Sequence, residues 1–312
     1  MTSLEQDIPP FIVSNSALGD SVELKRRMAQ DGYLFFKNLI SQESIGRTRQ
    51  EITTLLQSAD WLKPGTAALD AVAAPGANYV EPAPDYMQVY SELIKGEEFN
   101  RLALDPNLVA MLDTLFGEPT LAHSRNIARI IFPHNTLYTT PSHQDYIHIQ
   151  GAMETYTAWI PLGDCPKELG SLAVLQGSHK TGLLPVESAY GAGGLGINTE
   201  SLPYTWIGSD FERGDVVVFH SLTVHKALPN LADEQIRLSV DFRYQPLSHP
   251  IDKSSLMPHH SRLTWEEIYA NWKSDEAKYY WRDLPIRYAG HDPKALELRA
   301  SANQPKKETE TP

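Results

Sequence analysis

The pentapeptide Ser142-His143-Gln144-Asp145-Tyr146 sets an imidazole and a carboxylate two residues apart. In an extended segment side chains alternate, so His143 and Asp145 project to one side and Gln144 to the other. Such a pair offers two ligands to one face of a metal ion. His-x-Asp also arises by chance in exposed loops, so a third ligand has to come from elsewhere. Two candidates sit close together downstream: His220, at the end of the apolar run Val216-Val217-Val218-Phe219, and His225. Farther on, Arg237 starts an alternating segment in which Arg237, Ser239, Asp241 and Arg243 share one face and Leu238, Val240, Phe242 and Tyr244 the other. A polar face inside a small sheet domain needs partners or a ligand, because unpaired buried charge is expensive. The alternative is an Arg237–Asp241 pair at the surface. Two imidazoles and one carboxylate on one face of Fe(II) leave positions open for a chelating cosubstrate and dioxygen. A dicarboxylic keto acid held by iron at one end needs its other carboxylate gripped, and arginine does this with a planar fork.

The composition fits a metal site of this kind. Eleven histidines stand against one cysteine, Cys165, so a metal would be held by imidazole and carboxylate rather than thiolate. One cysteine also excludes an intrachain disulfide or a multi-cysteine zinc site, and fits a reducing compartment. The 312 residues are 41% hydrophobic, enough for a core. No apolar run approaches the ~20 residues of a membrane span, and the start lacks a secretory signal; a cytoplasmic protein without membrane contact is expected. With 27 basic and 39 acidic residues the net charge is −12, which opposes nucleic-acid binding and leans toward neutral or cationic small-molecule substrates.

The elements that must position these residues fall into two kinds. A helix is expected over 20–29, a strand at Tyr33-Leu34-Phe35-Phe36, a helix capped by Ser41 with Ile45, Ile52, Leu55 and Leu56 on one stripe, and a helix from Asp105-Pro106 to Gly117. Residues 60–88, rich in Ala, Pro and Gly, are too broken for a long element. From about 121 the period becomes strand-like, with runs at 126–132, 155–162, 171–175, 216–219 and 238–244 separated by Gly, Pro and Asp turns. Short strands without intervening helices indicate a sandwich or jelly roll, not a parallel α/β sheet. Thr264-x-x-Glu267 has the capping-box pattern of a helix running to about 283. Residues 301–312 are polar and read as a disordered tail.

At this point the sequence resembles the phytanoyl-CoA dioxygenase family of Fe(II)/2-oxoglutarate-dependent oxygenases. The resemblance rests on Trp159-Ile160-Pro161-Leu162-Gly163-Asp164, Gly170-Ser171-Leu172, Gly177-Ser178-His179-Lys180, the run from Gly214 to His220, His225-Lys226-Ala227-Leu228-Pro229-Asn230 and Arg237-Leu238-Ser239-Val240. It covers roughly residues 20–246. It implies a mainly β fold with flanking α-helices, a double-stranded β-helix or distorted, cupin-like jelly roll. The chain then reads as one oxygenase domain over 1–300, with a helical part at 20–117 and a jelly-roll core at 121–246. The resemblance further implies His143, Asp145 and His225 as iron ligands and catalytic residues, choosing His225 over His220. Arg237 would bind the distal carboxylate of 2-oxoglutarate, with Ser239 helping and Trp159 lining the pocket. Where the family often has serine two residues after the distal histidine, this chain has Ala227. Because Asp145 is retained, hydroxylation with release of succinate and carbon dioxide, using dioxygen as second cosubstrate, is implied over halogenation. A non-catalytic jelly-roll binding protein and a cupin dioxygenase not using 2-oxoglutarate are the alternatives.

Other signals are weaker. Tyr79 and Tyr86, near Met87 and Tyr90, lie in or beside the long loop where family members build a substrate lid, and are taken with Arg243 as substrate contacts. Ordinary packing, or an Arg243–Asp241 pair, competes with that reading. The segment from Gly191 to Gly196 satisfies Gly-x-Gly-x-x-Gly but lacks the strand before and helix after that a dinucleotide site needs, and reads as a mobile loop at the active-site mouth. His148 is expected to pack or face water, His179 to make a structural hydrogen bond, and Cys165 to be inert.

Overall fold

A computed structural model describes residues 8–302. Helix α1 (Ser21–Asp31) starts at Asp20, whose carboxylate accepts from the amides of Val22 and Glu23, and stops at Gly32. Gly32 has φ 78°, and a Cβ there would meet His179 at 2.5 Å and Thr223 at 2.7 Å, so the stop needs glycine twice over. Helix α2 (Gln42–Ser58) is capped by Ser41. Helices α3 (Pro84–Leu93) and α4 (Glu97–Leu102) follow, then α5 (Pro106–Phe116), capped by Asp105 and ended at Gly117. Buried side chains of α1, α2, α3 and α5 form one core with the outward side chains of the main sheet, Val216, Val218, Ala158, Ile160 and the Leu238, Val240, Phe242, Tyr244 row among them.

That sheet runs β1 (Tyr33–Phe36), β9 (Val216–His220), β4 (Tyr156–Pro161), β11 (Arg237–Pro246), β2 (Thr120–Ala122), with β3 (Ile127–Ile131) also paired to β11. A smaller sheet, β10 (His225–Ala227), β5 (Leu172–Leu175), β8 (Trp206–Gly208), faces it. A second core, including Phe35, Trp159, Leu172, Val174, Phe211, Val217 and Phe219, joins the two sheets. This is the expected jelly roll. Strand alternation sorts β11 as anticipated: its apolar row packs outward under the helices, and its polar row, Arg237 to Arg243, looks inward.

Three expectations change. Helix α3 begins at Pro84, inside the stretch read as broken, and the loop before it is held by bridges Leu62–Ala73 and Val72–Gln235. The capping box is present, yet helix α7 covers only Trp265–Tyr269 and does not continue to 283. The amides of Lys273 and Ser274 turn instead to the Glu97 carboxylate at 2.8 and 3.1 Å, and Tyr269, Trp272 and Trp281 collapse into an aromatic cluster. Residues 301 and 302, read as tail, finish helix α8 (Pro293–Ala302); residues 303–312 lie outside the described region. The start of α8 repeats the Asp-Pro signal of α5, with Asp292 accepting from the Lys294 amide at 2.9 Å.

Apart from His143 and His225 the fold encloses two further imidazoles, His123 buried and His220 half-buried. Burial pushes His123 down to about 3 despite its bond to Gln245, and burial with His179 nearby pushes His220 down to about 4. Unfolded imidazoles titrate near 6.5, so below that value the unfolded chain binds more protons and stability falls with pH, by up to about 1.4 kcal/mol per unit for each group. The urea midpoint is therefore expected to drop between pH 7 and pH 5; an unchanged midpoint would contradict the neutral, buried assignment.

Candidate metal centre and its cavities

His143 and His225 face each other as an isolated antiparallel bridge, each amide donating to the other's carbonyl at 3.0 Å. Their rings lie 4.1 Å apart. Asp145 is not on a strand as expected: its φ −62° and ψ −34° are helical, at the entrance to α6 (Tyr146–Ile149). The turn, rather than alternation, brings its carboxylate beside the imidazoles, with Oδ1 3.6 Å from His143 Nε2 and 3.9 Å from His225 Nε2. Gln144 does point the other way, donating to the carbonyls of Gly182 and Leu222. All three donor atoms lie within 4.8 Å of one another and all three residues are buried. These separations suit one divalent cation bonded to each at about 2.0–2.2 Å. His220 is elsewhere; its Nδ1 accepts from the Leu222 amide at 3.1 Å, and its ring meets Tyr156 edge-on.

The protonation states are arranged for coordination. His143 Nδ1 lies 2.8 Å from the Pro141 carbonyl and His225 Nδ1 3.0 Å from that of Thr223, which places the ring proton on Nδ1 and leaves Nε2 bare. Burial, with the neighbouring His143, pushes His225 down to about 4, so it is a neutral donor. Burial opposes charge on Asp145, but the Arg243 guanidinium beside it holds its carboxyl well below the usual range. Arg243 donates to Asp145 Oδ1 at 3.3 Å, and the Thr157 hydroxyl donates to Oδ2. Arg243 therefore pairs with Asp145 and not with Asp241, whose partner is Arg129 at 3.0 Å.

Arg237 stands in the same cavity as the triad, with Trp159, Thr140 and Ala227 in the wall. It is 2% exposed, donates to Ser239, and its Nε has no partner. Its guanidinium lies 5.9 Å from the Trp159 ring. Among the described residues no carboxylate pairs with it, so the surface Arg237–Asp241 pair is not formed. A buried guanidinium without a counter-ion, beside an iron-type triad, fits the free end of a dicarboxylate.

A second cavity of about 370 Å³ opens on the other side of His143 and Asp145, with Arg125, Arg129, Arg243 and Arg299 in its wall. His148 lines it too, its Nε2 buried and unpartnered, and burial pushes it down to about 3. Glu81, His259 and His260 close one side; Glu81 is already paired with Arg129 at 3.2 Å and His260 at 3.1 Å. The glycine-rich segment forms a hairpin, β6 (Glu187–Ser188) with β7 (Leu195–Gly196), and Ala192 and Gly193 reach this cavity; no dinucleotide-type helix follows it. Tyr79 and Tyr86 line a separate crevice that shares Arg129 with both cavities, Tyr79 stacked on Trp61 at 4.3 Å and Tyr86 against Tyr90. His179 Nε2 donates to the Ala29 carbonyl at 3.2 Å, the structural hydrogen bond expected of it, and Cys165 is buried with its thiol pushed up to about 12 by burial. Arg125, Thr140, Thr157 and Arg299 carried no sequence signal; their placement depends on which strands and helices meet.

Comparison with known proteins agrees with this geometry. The chain is 26% identical over 255 residues to 1-deoxypentalenic acid 11-beta-hydroxylase of Streptomyces arenae, covering 77% of this chain and 87% of that protein. It is 26% identical over 214 residues to the peroxisomal phytanoyl-CoA dioxygenase of Bos taurus, covering 66% and 63%. The fold matches the epimerase SnoN, solved with Fe3+, alpha ketoglutarate and nogalamycin RO, at TM-score 0.51 and 21% identity over 76% of this chain and 87% of that one. It matches the carbocyclase SnoK at TM-score 0.51 and 22% identity over 82% and 94%. The profile of the phytanoyl-CoA dioxygenase (PhyH) family matches residues 28–239, and with the iron-type triad inside a jelly roll the chain belongs to that family of Fe(II)- and 2-oxoglutarate-dependent oxygenases.

Proposed function

We propose that the protein hydroxylates a C–H bond of a small organic metabolite, with His143, Asp145 and His225 as the iron ligands and Arg237 as the grip on 2-oxoglutarate. The observation that carries this reading is that a buried His-Asp-His triad and a buried guanidinium without a carboxylate partner open into one cavity. Iron and 2-oxoglutarate, when bound with dioxygen, supply the oxidising chemistry, turning C–H into an alcohol with loss of succinate and carbon dioxide.

The chain's own residues do the positioning. The carbonyls of Pro141 and Thr223 fix each imidazole, while Arg243 and Thr157 occupy the two Asp145 oxygens and set the carboxylate's orientation. Ser239 steadies Arg237, and Trp159, Leu172 and Phe219 keep that end of the cavity apolar. Ala227 brings no hydroxyl to this wall, whereas Thr140 beside it in the lining does. A cupin dioxygenase not using 2-oxoglutarate would have no need of Arg237. The pentalenic acid hydroxylase relative supports hydroxylation as the outcome, and the single buried cysteine supports a reducing, cytoplasmic setting.

Anaerobic addition of Fe(II) and 2-oxoglutarate is expected to produce a visible metal-to-ligand charge-transfer band, and admission of air to release succinate slowly without any substrate. A colourless protein under those conditions would count against the reading. Arg237→Ala is expected to raise the 2-oxoglutarate concentration for half-saturation of that band by about tenfold to a hundredfold, the scale of a charge-assisted hydrogen bond. Its Fe(II) affinity, measured by titration, should barely move; equal loss of both would refute the assigned role.

A further inference from the structure

The larger cavity is cationic in a chain whose net charge is −12. Its wall carries four arginines against two carboxylates, Glu81 and Asp145. Arg129 is engaged by Asp241 at 3.0 Å and Glu81 at 3.2 Å, and Arg243 by Asp145 at 3.3 Å. Arg125 and Arg299 are left, and neither has a carboxylate within ion-pair distance among the described residues. Arg125 Nε is buried without a partner, and so is Nε of Arg243, which is 6% exposed. Burial and the nearby Arg243 push Arg125 down to about 10, against the opposing pull of the Asp252 carboxylate, which forms no ion pair with it. Arrangements of this kind are costly unless an anion joins them.

The outer part of this wall comes from the C-terminal third of the chain. Ser254, His259, His260 and Arg299 all lie beyond residue 239, where the family match ends. Arg299 comes from α8, which packs on α6, the helix that Asp145 begins: Ala295 is buried with Tyr146 and Ile147, and the Tyr146 hydroxyl donates to Asp292 at 3.0 Å. The same contact thus fixes a cation at the mouth and a metal ligand at the floor. Ile127, Ile149 and Ala192 give the space between them an apolar side.

We propose that the substrate is an organic anion, a carboxylate or phosphate monoester, whose charged group is held by Arg125 and Arg299 while its carbon skeleton reaches past His143 and Asp145. This reverses the neutral or cationic preference that the net charge alone indicates, and it rests on the oxygenase reading above. Whole-chain charge acts at long range and is screened, whereas a desolvated guanidinium decides what fits against it.

The test loads the full chain anaerobically with Fe(II) and 2-oxoglutarate and reads fluorine NMR line widths of trifluoroacetate, trifluoroethanol and trifluoroethylammonium. Saturable broadening of trifluoroacetate above both other probes is expected, weakened about tenfold in affinity by Arg125→Gln. Arg299→Gln, on a half-exposed side chain, should weaken it by a smaller factor and guards against a folding defect in the first variant. Monofluorophosphate run in parallel names the anion: the tighter binder identifies carboxylate or phosphate. Equal broadening of all probes, or trifluoroacetate binding untouched by both substitutions, overturns the proposal. The charge-transfer band recorded in the same samples separates the two claims. Its absence from the unsubstituted protein refutes the oxygenase reading, whereas a band without anion selectivity refutes only this inference.

Discussion

The reciprocal pair of backbone hydrogen bonds between His143 and His225, 3.0 Å each, is the contact on which the centre depends. It joins the loop before α6 to β10 in the smaller sheet, with strands β4 to β9 between them in the chain. Without it the two imidazoles would have no common face. Everything nearby serves the same geometry: Nδ1 of each ring is tied to a local carbonyl, and α6 begins immediately, so that Asp145 swings round to complete the triangle. Ligands fixed by backbone and carbonyl contacts are preorganised, and little side-chain entropy is lost when a metal arrives.

The second constraint is charge inside the barrel. The inward row of β11 carries Arg237, Asp241 and Arg243, all less than a tenth exposed. The protein balances part of this charge internally, with Asp241 against Arg129 and Asp145 against Arg243. Among the described residues neither Arg237 nor Arg125 has an ion-pair partner. The same physics that makes these positions expensive in the empty protein makes them selective for anionic groups in the loaded one, so recognition follows from incomplete compensation.

The strand pattern made most of the jelly roll legible: strands packed on both faces, such as β1 and β9, read as apolar runs, and β11 alternates because one face packs under the helices and the other lines a polar cavity. The Leu238, Val240, Phe242, Tyr244 row goes under the helices and the polar row goes inward, as the alternation requires. Helix caps were legible for a similar reason: Asp20, Ser41 and Asp105 are local chemistry. What local pattern could not carry was tertiary override. The capping box at Thr264 starts a helix, but it stops at Tyr269, and Glu97, far away in the chain, takes the amides of Lys273 and Ser274 that a longer helix would have used. The triad residues were readable, whereas the reason Asp145 faces the imidazoles was a turn and not a strand. The arginines of the larger cavity were not readable at all, since Arg125 and Arg299 become neighbours only through the packing of α8.

On the proposed reading His225, and not His220, completes the iron site with His143 and Asp145. X-ray absorption of the Fe(II)-loaded protein counts imidazoles directly, and His225→Ala and His220→Ala discriminate between the candidates. The two-imidazole signature of the triad is expected to fall to one in His225→Ala and to stay at two in His220→Ala. Retention of two imidazoles in His225→Ala, or their loss in His220→Ala, would contradict it.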